Sequence, residues 1–215
     1  MEVSVCGSGY RATINSYMYG EAISIARIAS LKRKVETARD FQKKAAVIKS
    51  LVQTRLWDKD EEFFKVLPRE TGSVLCGTRE LHGYTPWYFS LPDSEFSVAW
   101  KFLMKPEYFY AQYGPTTTEQ NSPGFRISYE GHECQWNGPG WPYATSITLT
   151  GMANLLNSYS QNEVSRSDYF SLLRNYALSH RIKLEDGRTV PWIDENLNPF
   201  TGDWISRTRL RTWDN

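Results

Sequence analysis

Apolar residues recur with helical spacing in five stretches of this 215-residue chain. They are spaced three or four residues apart, as in the series i, i+3, i+4 and i+7, which is the pattern of a helix with one buried face. The longest stretch runs from Ala38 to Leu56, with lysine, arginine and glutamine between the apolar positions. A pair resembling a capping box, Ser165 and Asp168, marks the start of the last stretch. The pattern predicts helices over 14–31, 36–57, 94–104, 143–159 and 166–180.

The segments between these helices are long and carry most of the glycine and proline. They cover 63–93, 106–141 and 182 to the end of the chain. Loops of this length in a folded domain are usually either functional or disordered. The tryptophan and tyrosine in them disfavour disorder. We therefore expect them to form structured, functional surfaces.

Charge and hydropathy exclude several classes of partner. Lys and Arg number 25 and Asp and Glu number 24, so the net charge is +1. This balance gives no electrostatic basis for binding nucleic acid, which requires a concentrated basic face. No apolar run reaches the roughly 18 residues of a membrane-spanning helix. Residues 1–7 have neither a basic nor an apolar segment, so they do not resemble a signal peptide.

Cysteine and histidine are too sparse to indicate a covalent framework or a metal. Cys6, Cys76 and Cys134 are widely spaced and odd in number, so we expect no disulfide framework. The possible metal ligands are Cys76, His82, His132 and Cys134. No C-x-x-C or H-x-x-x-H spacing occurs among them, and most structural zinc sites contain one or the other. We expect no metal and no cofactor.

The aromatic content, 8 Trp, 13 Tyr and 10 Phe, points to a lined cleft as well as a core. The densest segment is 129–143, which combines carboxylates, a histidine, amides and two indoles ahead of a predicted helix. Indole faces suit the C–H face of a sugar ring, and the polar side chains can hydrogen-bond to hydroxyls. The alternative interpretation is a rigid turn whose indoles only pack.

Two further segments carry candidate chemistry. The segment 191–202 places Asp194 and Glu195 in a loop among aromatic residues, where a carboxylate can act as a general base. The alternative for this segment is a solvated acidic turn. The segment 84–92 can supply a stacking wall, or it can be a helix cap packed under a loop.

Four segments of the chain resemble motifs of a known family. The segment 135–146, followed by 149–156, resembles the W-x-G-P-x-W region of the six-hairpin glycosidases. That group includes mannosylglycerate-hydrolase-like and family 63 glucosidase-like enzymes, which are relatives of the trehalases. Three other segments resemble its inner helix start, its aromatic strip and its late E-x-L-x-P-x-T-G loop. These segments are 10–22, 81–89 and 195–202.

The resemblance implies an all-α fold, the (α/α)6 toroid, with paired helices around a central funnel that holds the sugar. Four motifs in the family's order cover almost the whole chain. Five predicted helices fall short of the twelve in a closed toroid. We therefore expect residues 1–215 to form a single domain that is a partial toroid, with the rest of a parent glycosidase chain as its partner.

The reaction that the resemblance implies is hydrolysis of a glycosidic bond with inversion. Such enzymes use two carboxyl groups about 6.5–9.5 Å apart, one as acid and one as base. Glu195 is the implied base, and Asp194 is expected to point elsewhere. The family's acid is an Asp just before the segment that matches Met1, so we expect this chain to lack it and to be inactive alone. The residues implied to bind the sugar are Asn15, Tyr17, Trp87, Tyr88, Glu133, Gln135, Trp136, Asn137, Gly138 and Trp141.

Two other function classes compete with the hydrolase. One is a non-catalytic sugar-binding remnant that keeps the aromatic cleft without a working acid. The other is a helical-repeat scaffold. Scaffolds of that kind place their large apolar residues in helix stripes, whereas this chain places many in loops.

Overall fold

The computed structural model describes residues 4–70, 72–127 and 134–206. Two short helices of the 3-10 type span Leu81–Tyr84 and Ser94–Phe102. Four of the five predicted helices are confirmed as α-helices, with ends within two residues of the prediction. The α-helices are α1 (Ala12–Leu31), α2 (Val35–Arg55), α3 (Thr85–Tyr88), α4 (Pro142–Ser158) and α5 (Arg166–Ser179).

The predicted helix over 94–104 is instead the 3-10 helix Ser94–Phe102. A 3-10 helix repeats every three residues and so shares the i, i+3 spacing of an α-helix. Trp100 and Leu103 are completely buried, so the apolar positions do face the core as predicted. The apolar spacing identified the buried face but did not distinguish the two helix types.

Very short antiparallel strands connect the loops of the described residues. Their bounds are β1 (Gly9–Tyr10), β2 (Trp57–Asp58), β3 (Phe63–Phe64), β4 (Leu67–Pro68), β5 (Arg181–Lys183) and β6 (Thr189–Pro191). β1 pairs with β4, β2 with β3, and β5 with β6. In register, Gly9 lies opposite Pro68 and Ile182 lies opposite Val190. At two or three residues each, the strands are too short to show a period of two in the sequence.

The start of α5 shows the capping box that the sequence predicted. The Asp168 backbone N–H donates to Ser165 Oγ at 3.2 Å, and the Ser165 backbone N–H donates to Asp168 Oδ2 at 2.8 Å. Together these bonds satisfy two donors that a helix start otherwise leaves unpaired. The aspartate therefore replaces the usual glutamate with no loss of the reciprocal pair.

The core lies between two helical hairpins, α1–α2 and α4–α5, and is filled by aromatic residues from the loops. Phe63, Tyr84 and Trp100 are completely buried. The Phe63 and Tyr84 rings meet edge to face, with centroids 5.0 Å apart. The Tyr84 and Trp100 rings are tilted, with centroids 4.6 Å apart. Contacts of this kind add to the free energy gained from burying the apolar area.

Cys6 and Cys76 form a disulfide, a bond that the prediction of no disulfide framework did not anticipate. Their Cα atoms lie 5.8 Å apart although 70 residues separate them in sequence. The pairing of β1 with β4 brings their two segments together. Sequence spacing carries no information about that pairing, which is why cysteine counting missed the bond. Cys134 is not disulfide-bonded.

The described ranges 4–70, 72–127 and 134–206 contain neither a membrane-spanning helix nor a cluster of metal ligands. No helix in them is long and apolar enough to cross a membrane. Within the same ranges, His, Cys, Asp and Glu nowhere gather in groups of three or more that could hold a metal ion.

Candidate active site

The loop of Glu195 lies directly against the segment that begins at Gln135. The Gly140 N–H donates to the Leu197 carbonyl and the Leu197 N–H donates to the Gly140 carbonyl, both at 2.9 Å. Cys134 Sγ lies 3.9 Å from Glu195 Oε1. Two segments that the sequence indicated separately as sugar-binding and catalytic therefore form one surface.

Two indoles form the aromatic part of this surface. The Trp136 and Trp141 rings stack with centroids 4.2 Å apart and planes 14° apart. Trp141 is only 6% exposed, and its Nε1–H donates to the Gln135 carbonyl at 2.9 Å. Trp136 is half-buried and also contacts the His82 ring, 4.5 Å away. Trp141 thus supports Trp136, which is the more accessible member of the pair.

Two threonine hydroxyls hydrogen-bond to the backbone of the turn that carries Trp136. Thr118 Oγ1 donates to the Trp136 carbonyl at 2.9 Å. Gly138 N–H donates to Thr117 Oγ1 at 3.0 Å. A Cβ at Gly138 would lie 1.9 Å from the Arg126 carbonyl oxygen, so only glycine fits there. Gly138 therefore shapes the turn by letting a second backbone segment approach closely.

The remaining amides of this segment face inward. The side chain of Gln135 is almost completely buried. Asn137 is half-buried, and its Oδ1 is a buried atom with no hydrogen-bond partner among residues 4–70, 72–127 and 134–206. Its backbone carbonyl accepts from the Arg126 N–H at 2.8 Å. Glu133, which the sequence also indicated, lies outside the described residues.

The Glu195 loop is a packed structure rather than the solvated turn considered as the alternative. Asp194 is 2% exposed, and its Oδ1 accepts from the Glu195 N–H at 2.9 Å. Asn196 is completely buried, and its N–H donates to Ser206 Oγ at 3.0 Å. Glu195 itself is half-buried. The loop therefore buries the carboxylate of Asp194 and leaves Glu195 partly open to solvent.

A pair of tyrosines joins the starts of α1 and α4 beside this surface. The hydroxyls of Tyr17 and Tyr143 hydrogen-bond at 2.7 Å. Burial, reinforced by the Tyr143 hydroxyl, raises the pKa of Tyr17 above its ordinary value. Tyr143 is exposed, and the sequence analysis did not include it among the sugar-binding residues.

A small recess lies beneath the tyrosine pair, with a volume of about 70 Å³. Two of its lining residues, Thr13 and His82, each carry a buried polar atom, Oγ1 and Nε2, without a hydrogen-bond partner among the described residues. Burial, together with the charge of Arg11, lowers the pKa of His82 to about 3, so its imidazole is neutral near pH 7. The residues that line the recess are Thr13, Tyr17, Leu81, His82, Thr85, Tyr143, Ala144, Ile147 and Thr148.

Sequence reasoning missed His82 as a site residue and considered it only as a metal ligand. The 3-10 helix Leu81–Tyr84 positions its ring beside Trp136. A lone histidine carries no spacing signal. Pro86, in the first turn of α3, is a local signal in the sequence that a helix begins directly after His82 and its neighbours.

Trp87, which the sequence analysis included among the sugar-binding residues, lies in the interior of the described structure. Trp87 is completely buried, and its ring meets Trp100 edge to face with centroids 5.5 Å apart. Any further protein packed onto this chain can only cover it more, so it belongs to the core. Its neighbour Tyr88 is half-buried and lies beside Tyr17, with ring centroids 6.4 Å apart.

Asn15 is also separated from the site. It precedes Tyr17 by two residues, which turns its side chain by about 200° around α1. Its Nδ2 donates to the Arg11 carbonyl at 2.7 Å. It lines a different groove, with Leu51 and Arg55 of α2. The structure therefore does not bring Asn15 together with Tyr17.

Comparison with known proteins places these observations in a family. Residues 3–211 match the model of the Mannosylglycerate hydrolase MGH1-like glycoside hydrolase domain. The chain belongs to this glycoside hydrolase family. No curated protein sequence matches the chain.

Solved structures show the same fold for this family member. A protein titled sialidase is 38% identical with a TM-score of 0.88, over 98% of this chain and 19% of that chain. A GH63 mannosylglycerate hydrolase from Thermus thermophilus in complex with glucose is 15% identical with a TM-score of 0.66, over 93% and 44%. Neutral trehalase from Saccharomyces cerevisiae is 18% identical with a TM-score of 0.56, over 80% and 30%.

These likenesses confirm the all-α class and the partial (α/α)6 toroid that the sequence motifs implied. The chain spans less than half the length of each of these solved structures.

Proposed function

We propose that this chain is part of an inverting glycoside hydrolase in which Glu195 is the general base. The observation that carries the proposal is the pairing of Gly140 with Leu197, which sets the half-buried Glu195 beside the Trp136 surface. Family membership supplies the reaction class. Inverting hydrolysis uses a pair of carboxyl groups, and an aromatic side chain beside one of them suits contact with a sugar ring.

In the proposed reaction, the sugar ring contacts the accessible part of the half-buried Trp136 indole. Glu195 takes a proton from a water molecule as that water attacks the anomeric carbon. A second carboxylic acid, about 6.5–9.5 Å away, protonates the leaving oxygen. We propose that this acid comes from outside residues 1–215, as the resemblance implies.

The exposed face of α1 supports a longer parent chain as the partner. Ile14, Met18 and Ile28 are 62%, 49% and 60% exposed, and they follow one side of the helix. Apolar stripes of this kind favour burial against another protein surface. We propose that further helical hairpins of the same toroid cover this stripe, and that the isolated chain is inactive and prone to aggregate.

The test is Glu195→Gln in the longest natural polypeptide that contains this chain. Hydrolysis of aryl glycosides of neutral sugars is measured, and NMR gives the anomer that forms first. We expect kcat to fall by about 10²–10⁴-fold, the usual contribution of a general base, and the first product to be inverted.

The matched control is Glu163→Gln, since Glu163 is exposed in the loop before α5. It should leave kcat unchanged. If Glu195→Gln keeps full activity, Glu195 is not the base. If the parent protein binds sugars through Trp136 but hydrolyses none of them, the non-catalytic sugar-binding interpretation replaces this one.

A further inference from the structure

Thr118 connects the turn of Trp136 to the segment just before the 3-10 helix Leu81–Tyr84. Its hydroxyl donates to the Trp136 carbonyl at 2.9 Å, and its backbone forms a β-bridge with Glu80. Thr118 is completely buried, so water does not compete for the hydroxyl bond. The backbone at Trp136 is therefore tied to a part of the chain that is distant from it in sequence.

A buried ion pair anchors the backbone on both sides of this connection. Arg79 Nη1 lies 2.9 Å from Glu119 Oε2, and the Arg79 N–H donates to Glu119 Oε1 at 2.8 Å. The Glu119 N–H in turn donates to the Arg79 carbonyl at 3.1 Å. The guanidinium also lies 4.2 Å from the centre of the Phe102 ring and donates to the carbonyl and carboxylate of Glu61. Side-chain and backbone contacts together therefore fix the residue next to Thr118.

This ion pair is poorly suited to stabilising the fold. Arg79 is 7% exposed and Glu119 is 3% exposed. The attraction between two buried charges is largely offset by the free-energy cost of desolvating them. Arg79 Nε adds to that cost, because it is buried with no hydrogen-bond partner among residues 4–70, 72–127 and 134–206. A pair that contributes little stability can still fix the geometry of the backbone that it holds.

The position of the Trp136 indole depends on such fixing. Trp136 lies outside the helices and strands of the described ranges, so no run of helical or sheet hydrogen bonds sets its backbone. Its ring stacks on Trp141 and contacts His82, while its carbonyl accepts from Thr118. A shift of that carbonyl would turn the indole relative to Trp141.

We propose that Thr118 is a positioning residue for Trp136, and that the Arg79–Glu119 ion pair acts on Trp136 through Thr118. The consequence for substrate rests on the proposed function, in which the accessible part of the Trp136 indole contacts the sugar ring. The consequence for the indole itself does not, because the stack with Trp141 is present without sugar.

The first measurement is the far-ultraviolet circular dichroism of the longest natural polypeptide that contains this chain. Indoles stacked with centroids 4.2 Å apart couple their electronic transitions. Subtracting the spectrum of Trp136→Phe isolates the band that this coupling produces. Thr118→Val preserves the shape of the side chain and removes the hydroxyl, so most of the band should be lost. Thr118→Ser keeps the hydroxyl and should restore the band.

The second measurement is the hydrolysis of the best aryl glycoside by the same polypeptide. Thr118→Val should raise KM by about 3–10-fold, the effect of one lost hydrogen bond. It should leave kcat within about two-fold of wild type, because the sugar contacts the indole in both the ground state and the transition state. Thr118→Ser should return KM to the value of wild type.

A double-mutant cycle tests whether the ion pair acts through Thr118. Glu119→Gln removes the charge and keeps an acceptor for the Arg79 backbone N–H. Alone, it should change the band and KM in the same direction as Thr118→Val. Combined with Thr118→Val, it should cause no further change, which is the result expected of two residues on one route. Additive effects would show that the ion pair does not act through Thr118. Urea unfolding verifies that each variant folds.

The matched control is Thr78→Val, the same change at another buried threonine. The Thr78 hydroxyl is bonded to Ser122 Oγ at 3.0 Å. This variant should lower the urea midpoint about as much as Thr118→Val and leave the band and KM at their wild-type values. It therefore separates a loss of stability from a loss of position.

Three results overturn the proposal. If Thr118→Val lowers the urea midpoint but leaves the band and KM unchanged, Thr118 is only structural. If Thr118→Ser restores neither quantity, the hydroxyl is not the cause. If the band changes while KM does not, the position of the indole is irrelevant to the sugar. The proposed function fails on a separate result, full activity of Glu195→Gln, and the band still tests the positioning of the indole in that case.

Discussion

Replacing both Cys6 and Cys76 by serine removes the covalent link between the segment before α1 and the loop after β4. The link stands next to a buried ion pair. The Cys6 N–H donates to Glu80 Oε1 at 3.1 Å, and Arg11 Nε lies 3.5 Å from Glu80 Oε2. The substitution therefore tests how strongly the bond holds the start of α1 onto the core.

The size of the effect follows from the length of the loop that the disulfide closes. The two cysteines are 70 residues apart. In the chain-entropy model, a loop of that length lowers the entropy of the unfolded chain by an amount worth about 4 kcal/mol at 25 °C. We expect the double variant to lose about this much of its free energy of unfolding.

The assay is urea unfolding followed by circular dichroism. With a slope of about 2 kcal/mol per molar urea, the midpoint of the double variant should fall by about 2 M. Wild type with a reducing agent should show the same fall. Thiol titration of the unfolded wild type should find one thiol before reduction and three after it, because the chain has three cysteines and one disulfide.

The control is Cys134→Ser, because Cys134 is not disulfide-bonded. It should keep the midpoint of wild type and the same sensitivity to reductant. A change of less than about 1 kcal/mol in both the double variant and the reduced wild type would refute the entropic reasoning, since loop closure predicts several times more.

Three further predictions concern single residues. Gly138→Ala should lower the free energy of unfolding by about 1–3 kcal/mol, because its Cβ would lie 1.9 Å from a carbonyl oxygen, whereas Gly77→Ala, which has open space, should not. His82 has its folded pKa lowered from 6.5 to about 3. As the pH falls, the unfolded chain therefore protonates His82 before the folded chain does. The free energy of unfolding should drop by roughly 1 kcal/mol per pH unit below about pH 6. Unfolding of wild type and His82→Phe between pH 7 and 4 measures this, and an equal pH dependence of the two proteins would contradict it. Tyr17→Phe and Tyr143→Phe should each cost about 0.5–1.5 kcal/mol, and the double variant should cost no more than either, as a double-mutant cycle would show.

The long helices were predictable because their signals are local. Apolar spacing located α2 to within two residues at each end. The Ser165 and Asp168 pair located the start of α5, and the structure shows the same reciprocal bonds. These features depend on residues three or four positions apart, which any reader of the chain can compare directly.

The site was only partly predictable. Family motifs indicated Trp136 and Glu195 as candidates, and the structure places their segments against each other. The same reasoning chose Trp87, which is buried in the core. Both tryptophans lie in the aromatic segments between the long helices, and nothing in the neighbouring sequence distinguishes an indole that faces a cleft from one that faces the core.

The sequence by itself determined the family, the helical class and the residue types available for sugar chemistry. Only the tertiary structure decided that Cys6 bonds to Cys76, that Tyr17 meets Tyr143, and that Thr13 and His82 share a recess. The physical reason is the range of the interactions. Helix periods and caps are set within a turn or two of chain, whereas these contacts depend on how separate hairpins pack, and that packing is fixed by the whole core.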